Sequence, residues 1–281
     1  MSFLKTREKI YSLIKKTKPT EDKKIFFSWN LDHGDQKKLK VTSLNIIKKN
    51  FETFYKEKFY PSDKFINRNI KRISDLPNIT PNGLIQPRKE LVNQFNILHK
   101  KILLILKKKK IINEFDNLMV PVLRIKVPPN KKTKKRQYST YKVHSDAWNG
   151  VNLNSIFMFG IYGNFKKNSV KFYTAKKYNK NILKIMKNFN EGKNYYSNLK
   201  LVDNMSDGKI MLIDQACLHK TYIDPKFKNN IRISIDIVAN PKNSKILNEN
   251  IKKYNYYKLN DWKKLNYAKL DTAKISIFNS N

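Results

Sequence analysis

At 281 residues, with 40% hydrophobic and 12% aromatic content, the chain holds enough apolar material for a full core, which excludes global disorder. Fifty-nine Lys and Arg against 22 Asp and Glu give a formal charge of +37, enough to attract polyanions in a loose, salt-sensitive way. That charge is carried mostly by Lys, in a chain rich in Lys, Asn and Ile throughout, whereas bidentate phosphate recognition favours Arg; composition of an A+T-rich genome explains it ahead of a specific nucleic-acid substrate.

Residues 2–16 read as a short amphipathic helix, with Phe3, Leu4, Ile10, Leu13 and Ile14 near one face, broken by Pro19. A second helical pattern runs over 39–60 through Leu44, Ile47, Phe51 and Phe54. Four prolines within 61–88 predict an irregular connection. The clearest helix spans 88–115, where Leu91, Val92, Phe95, Leu98, Ile102, Ile105 and Leu106 recur at helical spacing.

Beyond Asn117 the texture changes to short β-rich segments at 119–127, 140–146, 155–165, 170–174, 209–214 and 231–239, separated by turn residues, with a short helix expected around 182–189. Several short strands with few long crossovers predict an antiparallel sandwich or barrel rather than a βαβ fold. The fold class is therefore mainly β with flanking helices. Three regions follow: 1–117, helical and packing on the core; 118–240, the β core; and 241–281, an amphipathic tail expected as a helical buttress. The single cysteine, Cys217, excludes an intrachain disulfide framework and suits the reducing cytoplasm. The apolar run at 102–106 is too short to span a bilayer, and residues 1–24 show no signal-peptide pattern.

The chemistry concentrates in the β region. In Val143-His144-Ser145-Asp146, alternation along a strand would put His144 and Asp146 on one face. His219, in Leu218-His219-Lys220-Thr221 after Gly208 and the apolar run 210–213, completes two imidazoles and one carboxylate, the facial set typical of non-haem Fe(II), which leaves positions open. On the most regular strand, isoleucines at 231, 233, 235 and 237 alternate with Arg232, Ser234 and Asp236. An arginine facing an iron cavity needs an anion, because an unpartnered buried guanidinium is costly. A dicarboxylate co-substrate supplies one: Arg232 would grip its distal carboxylate, Ser234 would add a hydrogen bond, and the 2-oxo acid end would chelate iron. A second His-x-Asp, at His33 and Asp35, precedes a helical pattern and reads as a surface turn; His99 reads as part of a helix face.

The heptapeptide His144-Ser145-Asp146-Ala147-Trp148-Asn149-Gly150 resembles the His-Ser-Asp-x-Trp-x-Gly signature of 2-oxoglutarate/Fe(II) oxygenases from sporadically distributed bacterial carbohydrate-biosynthesis gene clusters, distant relatives of phytanoyl-CoA dioxygenase. His219 and the Arg232-Ile233-Ser234 strand match the same general pattern, over roughly residues 118–240. After Gly150 the chain departs from the family's Ser-Pro turn, with Val151-Asn152-Leu153-Asn154-Ser155 instead.

The resemblance implies a double-stranded β-helix (jelly-roll) core, Fe(II), 2-oxoglutarate and O2 as reactants, succinate and CO2 as by-products, and a small-molecule substrate such as a sugar or surface-carbohydrate precursor. Trp148 either lines that substrate's pocket or caps the barrel mouth; Arg124 either meets an anionic substrate or is a solvated strand residue. The alternative from another class is a basic β-barrel module that binds polyanions such as nucleic acid without catalysis. A nucleic-acid demethylase would carry a second Arg six residues after the first, where this chain has Val238.

Overall fold

The computed structural model describes residues 3–242, apart from 78, 81, 86–88, 119–120, 129–134, 150–154, 180 and 228–229. Two short amphipathic helices, α1 (Phe3–Ile10) and α2 (Ser12–Lys15), open the chain and lead into strands β1 (Glu21–Asp22) and β2 (Phe26–Asn30). Helix α3 (His33–Tyr55) follows; Lys56 ends it in the left-handed conformation, donating its N–H to Glu52 O. Helices α4 (Asp63–Arg68) and α5 (Ile70–Ser74) and strand β3 (Leu84–Ile85) precede the long α6 (Val92–Lys108). Strands β4 (Phe115–Leu118), β5 (Val122–Lys126), β6 (Ser155–Tyr162), β7 (Asn168–Tyr178), β8 (Tyr196–Asn204), β9 (Lys209–Asp214), β10 (Leu218–Ile223) and β11 (Arg232–Pro241) complete the described elements.

The strands form two antiparallel sheets. The larger runs β1-β2-β9-β6-β11-β5-β3, with β4 pairing the end of β11; the smaller runs β10-β7-β8. Residues 140–144 extend the smaller sheet beside β10, where Thr221 N–H donates to Thr140 O (2.7 Å) and His144 and His219 exchange both backbone bonds (2.9 and 2.8 Å). From β5 onward the chain therefore alternates between sheets: large, small (140–144), large (β6), small (β7, β8), large (β9), small (β10), large (β11). That winding is a jelly roll.

Each face of the larger sheet has a different job. Ile233, Ile235 and Ile237 of β11, with Phe157 and Phe159 of β6, pack against Leu39, Ile46, Phe95 and Leu98 of α3 and α6. Each such side chain contributes about 1.5–3 kcal/mol of burial. The opposite face turns toward the smaller sheet, where Phe26, Met158, Val170, Phe172 and Met211 fill one part of the interior and polar residues fill another. Helix α6 is held by the stripe read from sequence, and His99 lies buried within it.

Several expectations change. The stretch 140–146 is not a strand: His144 forms an isolated bridge and Asp146 opens a 3-10 turn, Asp146–Asn149. The Ser145 hydroxyl accepts the Ala147 N–H (3.2 Å), a local bond that competes with strand pairing. No helix forms at 182–189. Asparagines take the backbone instead, with Asn179 Oδ1 accepting from Asn181 N–H and Asn188 Oδ1 from Asn190 and Glu191 N–H. Early in the region read as an irregular connection, α4 and α5 form instead, with the Ser62 hydroxyl capping α4. The second helix begins earlier than read, so His33 is the exposed first residue of α3 rather than a turn residue.

Strands β2, β8 and β10 escaped the periodicity reading. Four consecutive residues of β2 are buried, so it shows no alternation, whereas β8 is a largely exposed strand. Among the described residues, 1–117 contribute β1, β2, β3 and most of β4 to the larger sheet in addition to helices. The tail expected as a buttress lies, from residue 243, outside the described residues, as do Gly150 and most of the basic loop at 131–136. Among the described residues no helix is long and apolar enough to cross a membrane.

Candidate metal centre

His144, Asp146 and His219 meet at one end of the interior. One ligand atom from each lies within 4.8 Å of the others; Asp146 Oδ1 stands 3.8 Å from His144 Nε2 and Asp146 Oδ2 stands 3.6 Å from His219 Nε2. The backbone bridge between His144 and His219 fixes their separation, and the turn starting at Asp146 folds the carboxylate back toward both rings. The carboxylate thus arrives by a turn rather than by strand alternation.

The remaining ring nitrogens fix the tautomers. His144 Nδ1 lies 2.8 Å from Lys142 O and His219 Nδ1 lies 3.2 Å from Cys217 O. A carbonyl only accepts, so each Nδ1 carries its hydrogen and each Nε2 presents a lone pair to the site. This is how metal-binding imidazoles are oriented. Burial, reinforced by the neighbouring His219, holds His144 well below the ordinary histidine range, so its ring is neutral. Phe189 stacks on His144 with centroids 4.3 Å apart and planes at 13°.

Behind that ring sits Trp148. It is fully buried, its indole N–H donates to Ile182 O (2.6 Å), and it packs edge-on to Phe189. With its polar atom spent and no exposed surface, Trp148 packs behind the His144–Phe189 stack. Gly192 makes that packing possible, because a Cβ there would lie 2.2 Å from the indole ring.

The other wall is β11 with β5. Arg232 is fully buried, and none of its three guanidinium nitrogens has a hydrogen-bond partner among the described residues; the buried Ser234 hydroxyl also lacks one. Burial, then the nearby Arg124, lowers Arg232 to about 10, so it stays cationic at neutral pH. Arg124 is half-buried and donates from Nε to Asp236 (2.7 Å), so it is a paired cavity residue rather than a solvated one. Arg124, Arg232, Ser234 and Asp236 border the same cavity as the two histidines and Asp146, together with Thr140 and Thr221. Side chains fill this cavity to about 30 Å³, roughly one water.

Sequence reasoning missed Lys126, Thr140 and Tyr141. Lys126 is buried and donates to Thr140 Oγ1 (2.9 Å), while Tyr141 donates to Val127 O (2.9 Å). The signal was present: Leu123 and Ile125 alternate with Arg124 and Lys126 just as the isoleucines of β11 alternate with Arg232 and Ser234. Cys217 is a packed, fully buried thiol whose ionisation burial pushes up. A far larger groove, about 1110 Å³, lies elsewhere, between α3, the β6–β7 turn and the β8–β9 turn, and shares no residue with this cavity.

No protein-family model matches the chain, and no curated protein matches it. Among solved structures, it is similar to SnoN, a non-haem alpha-ketoglutarate-dependent epimerase from nogalamycin biosynthesis, at 10% identity and a TM-score of 0.42, covering 84% of this chain and 81% of that one. It is similar to AviO1 from Streptomyces viridochromogenes at 13% identity and a TM-score of 0.43, covering 86% and 97%. It is also similar to a prolyl hydroxylase from Trichoplax adhaerens, solved with a peptide of the hypoxia-inducible factor, at 10% identity and a TM-score of 0.41, covering 87% and 94%.

Proposed function

We propose that this chain is a non-haem Fe(II), 2-oxoglutarate-dependent oxygenase acting on a small molecule. One observation carries the reading: a fully buried guanidinium, with no hydrogen-bond partner on any nitrogen among the described residues, shares one cavity with a His-Asp-His cluster whose imidazoles present their Nε2 lone pairs. The donor set fits the metal, since two imidazoles and a carboxylate make the facial set of non-haem Fe(II). The orphaned guanidinium fits the co-substrate, because a carboxylate supplies the two parallel acceptors that Arg232 lacks.

In this scheme His144, Asp146 and His219 hold the metal, and Lys142 O and Cys217 O hold the two imidazole tautomers. Arg232 and Ser234 bind the distal carboxylate of 2-oxoglutarate, setting the 2-oxo acid end toward the metal. Phe189, backed by Trp148, shields one side of the His144 ring from water. Arg124, which also donates from Nη1 to Asn82 O (3.4 Å), holds Asp236 away from Arg232's incoming carboxylate. With Fe(II), 2-oxoglutarate and O2 bound, the centre supplies oxidation of a C–H bond, with release of succinate and CO2. The protein's own contribution is position and water exclusion. The His144-to-Gly150 signature points the substrate class toward a sugar or surface-carbohydrate precursor.

Anaerobic titration of the protein with Fe(II) and then 2-oxoglutarate tests the proposal by the visible charge-transfer absorbance of the ternary complex. The wild type gains that band. His144→Ala loses it, with metal affinity down by at least about 100-fold, since the partners behind a ligand alone are worth 10–100-fold. Arg232→Ala keeps most of the metal affinity but needs far more 2-oxoglutarate. A wild type that binds the metal and develops no band refutes the assignment.

A further inference from the structure

Strands β5 and β11 are antiparallel neighbours with Lys126 opposite Arg232 and Arg124 opposite Ser234. Directly opposed residues project to the same side, so three cationic side chains share the inner face of this sheet pair. Asp236 is the carboxylate on that face, and it is committed to Arg124. Lys126 is 4% exposed; its Nζ donates to Thr140 Oγ1 and lies 5.5 Å from the Tyr141 ring centroid, and both of those groups are uncharged. Arg136, from the segment preceding Thr140, adds another positive charge nearby. Two buried basic side chains, Arg232 and Lys126, therefore lie opposite each other across a strand pair, and among the described residues neither has a carboxylate of its own.

Such a cluster relieves itself by shedding a proton, and only one member can. A guanidinium keeps its charge under ordinary conditions, whereas a buried ammonium gives its proton up readily. Burial first, then Arg124 and Arg232, hold Lys126 well below the ordinary lysine range, against the smaller opposing pull of Asp236. An anion delivered to Arg232 reverses the balance, because it cancels the repulsion from Arg232 and places negative charge one strand from Nζ.

We propose that Lys126 is a charge switch for the co-substrate: it is neutral until a dicarboxylate pairs with Arg232, and it then takes up one proton, linking binding to protonation. This rests on the oxygenase reading above and deepens it. The step balances simply. The neutral amine takes a proton from solvent and becomes the ammonium, the incoming carboxylate stays ionised, and no other bond is made or broken. Such a device favours a fully ionised diacid over ligands that lack the distal charge.

The test is calorimetric titration of the Fe(II)-loaded chain with 2-oxoglutarate, without oxygen, in pairs of buffers with different ionisation enthalpies between pH 7 and 9. The wild type takes up about one proton per ligand, and its affinity falls by up to about tenfold per pH unit across the switching range. Lys126→Met binds more weakly at neutral pH, takes up no proton and shows a flat pH profile. Lys126→Arg restores affinity without proton uptake. The wild-type measurement needs no variant, so a misfolded variant does not protect the proposal. Tight wild-type binding with no proton uptake overturns the switch and leaves the oxygenase intact, as does uptake that persists in Lys126→Met. Failure of the wild type to bind 2-oxoglutarate at any pH overturns both.

Discussion

Arg232 carries a charge that the protein interior penalises, since an ionised group taken out of water without partners costs several kcal/mol. Methionine has similar reach and no charge. Arg232→Met should therefore raise stability to urea by about 1–3 kcal/mol, while 2-oxoglutarate binding collapses. A gain in stability paired with a loss of ligand marks a residue kept for binding. A loss of stability would make it a structural residue. The same contrast separates it from Trp148, which has full burial and a satisfied N–H and belongs to the packing.

Two elements that do not line the cavity govern it. The turn after β9 runs from Asp214 to Cys217, and its carbonyls hold the site: Gln215 O accepts from the Ser145 hydroxyl (2.6 Å) and Cys217 O from His219 Nδ1. Asp214 shapes that turn by accepting the Ala216 N–H (2.6 Å), and its carboxylate is clasped by the guanidinium of Arg7 and by Tyr11 OH. The N-terminal helices are thus tied to the second imidazole by a buried ion pair. Arg7→Met should cost about 3–5 kcal/mol by stranding Asp214, and metal affinity should fall about 10–100-fold; unfolding curves and competition with a chelator read these out separately.

Helix α6 carries a separate liability. Burial lowers His99 to about 4 in the folded protein against 6.5 for the free group. Below 6.5 the unfolded chain binds a proton that the folded one refuses, so stability falls as pH drops from 6.5 toward 4 and is unaffected above. Between pH 7 and 5 the loss should be about 2 kcal/mol. His99→Gln should flatten that part of the urea-midpoint profile.

At the scale of the whole molecule the net charge of +37 and the cavity are independent features. Loose binding to random duplex DNA should be measurable at 50 mM salt, fall by orders of magnitude by 200 mM, and be the same for Arg232→Met. Binding that resists salt, or that the cavity variant abolishes, would tie the charge to function.

The sequence by itself determined the pieces whose physics is local. The isoleucine alternation gave β11 two unlike faces, the stripe from Leu91 to Leu106 gave a helix, and the spacing of His144, Asp146 and His219 in β-rich sequence singled out three ligand candidates. Tertiary structure decided everything that required two distant segments at once. Asp146 reaches the imidazoles through a capped turn rather than along a strand, and β8, an exposed strand, is held by pairing with β7. Lys126 gains its meaning only from the arginine across the strand pair. Alternation and helical periodicity are properties of neighbours along the chain, whereas desolvation and like-charge repulsion are set by whatever the fold brings alongside.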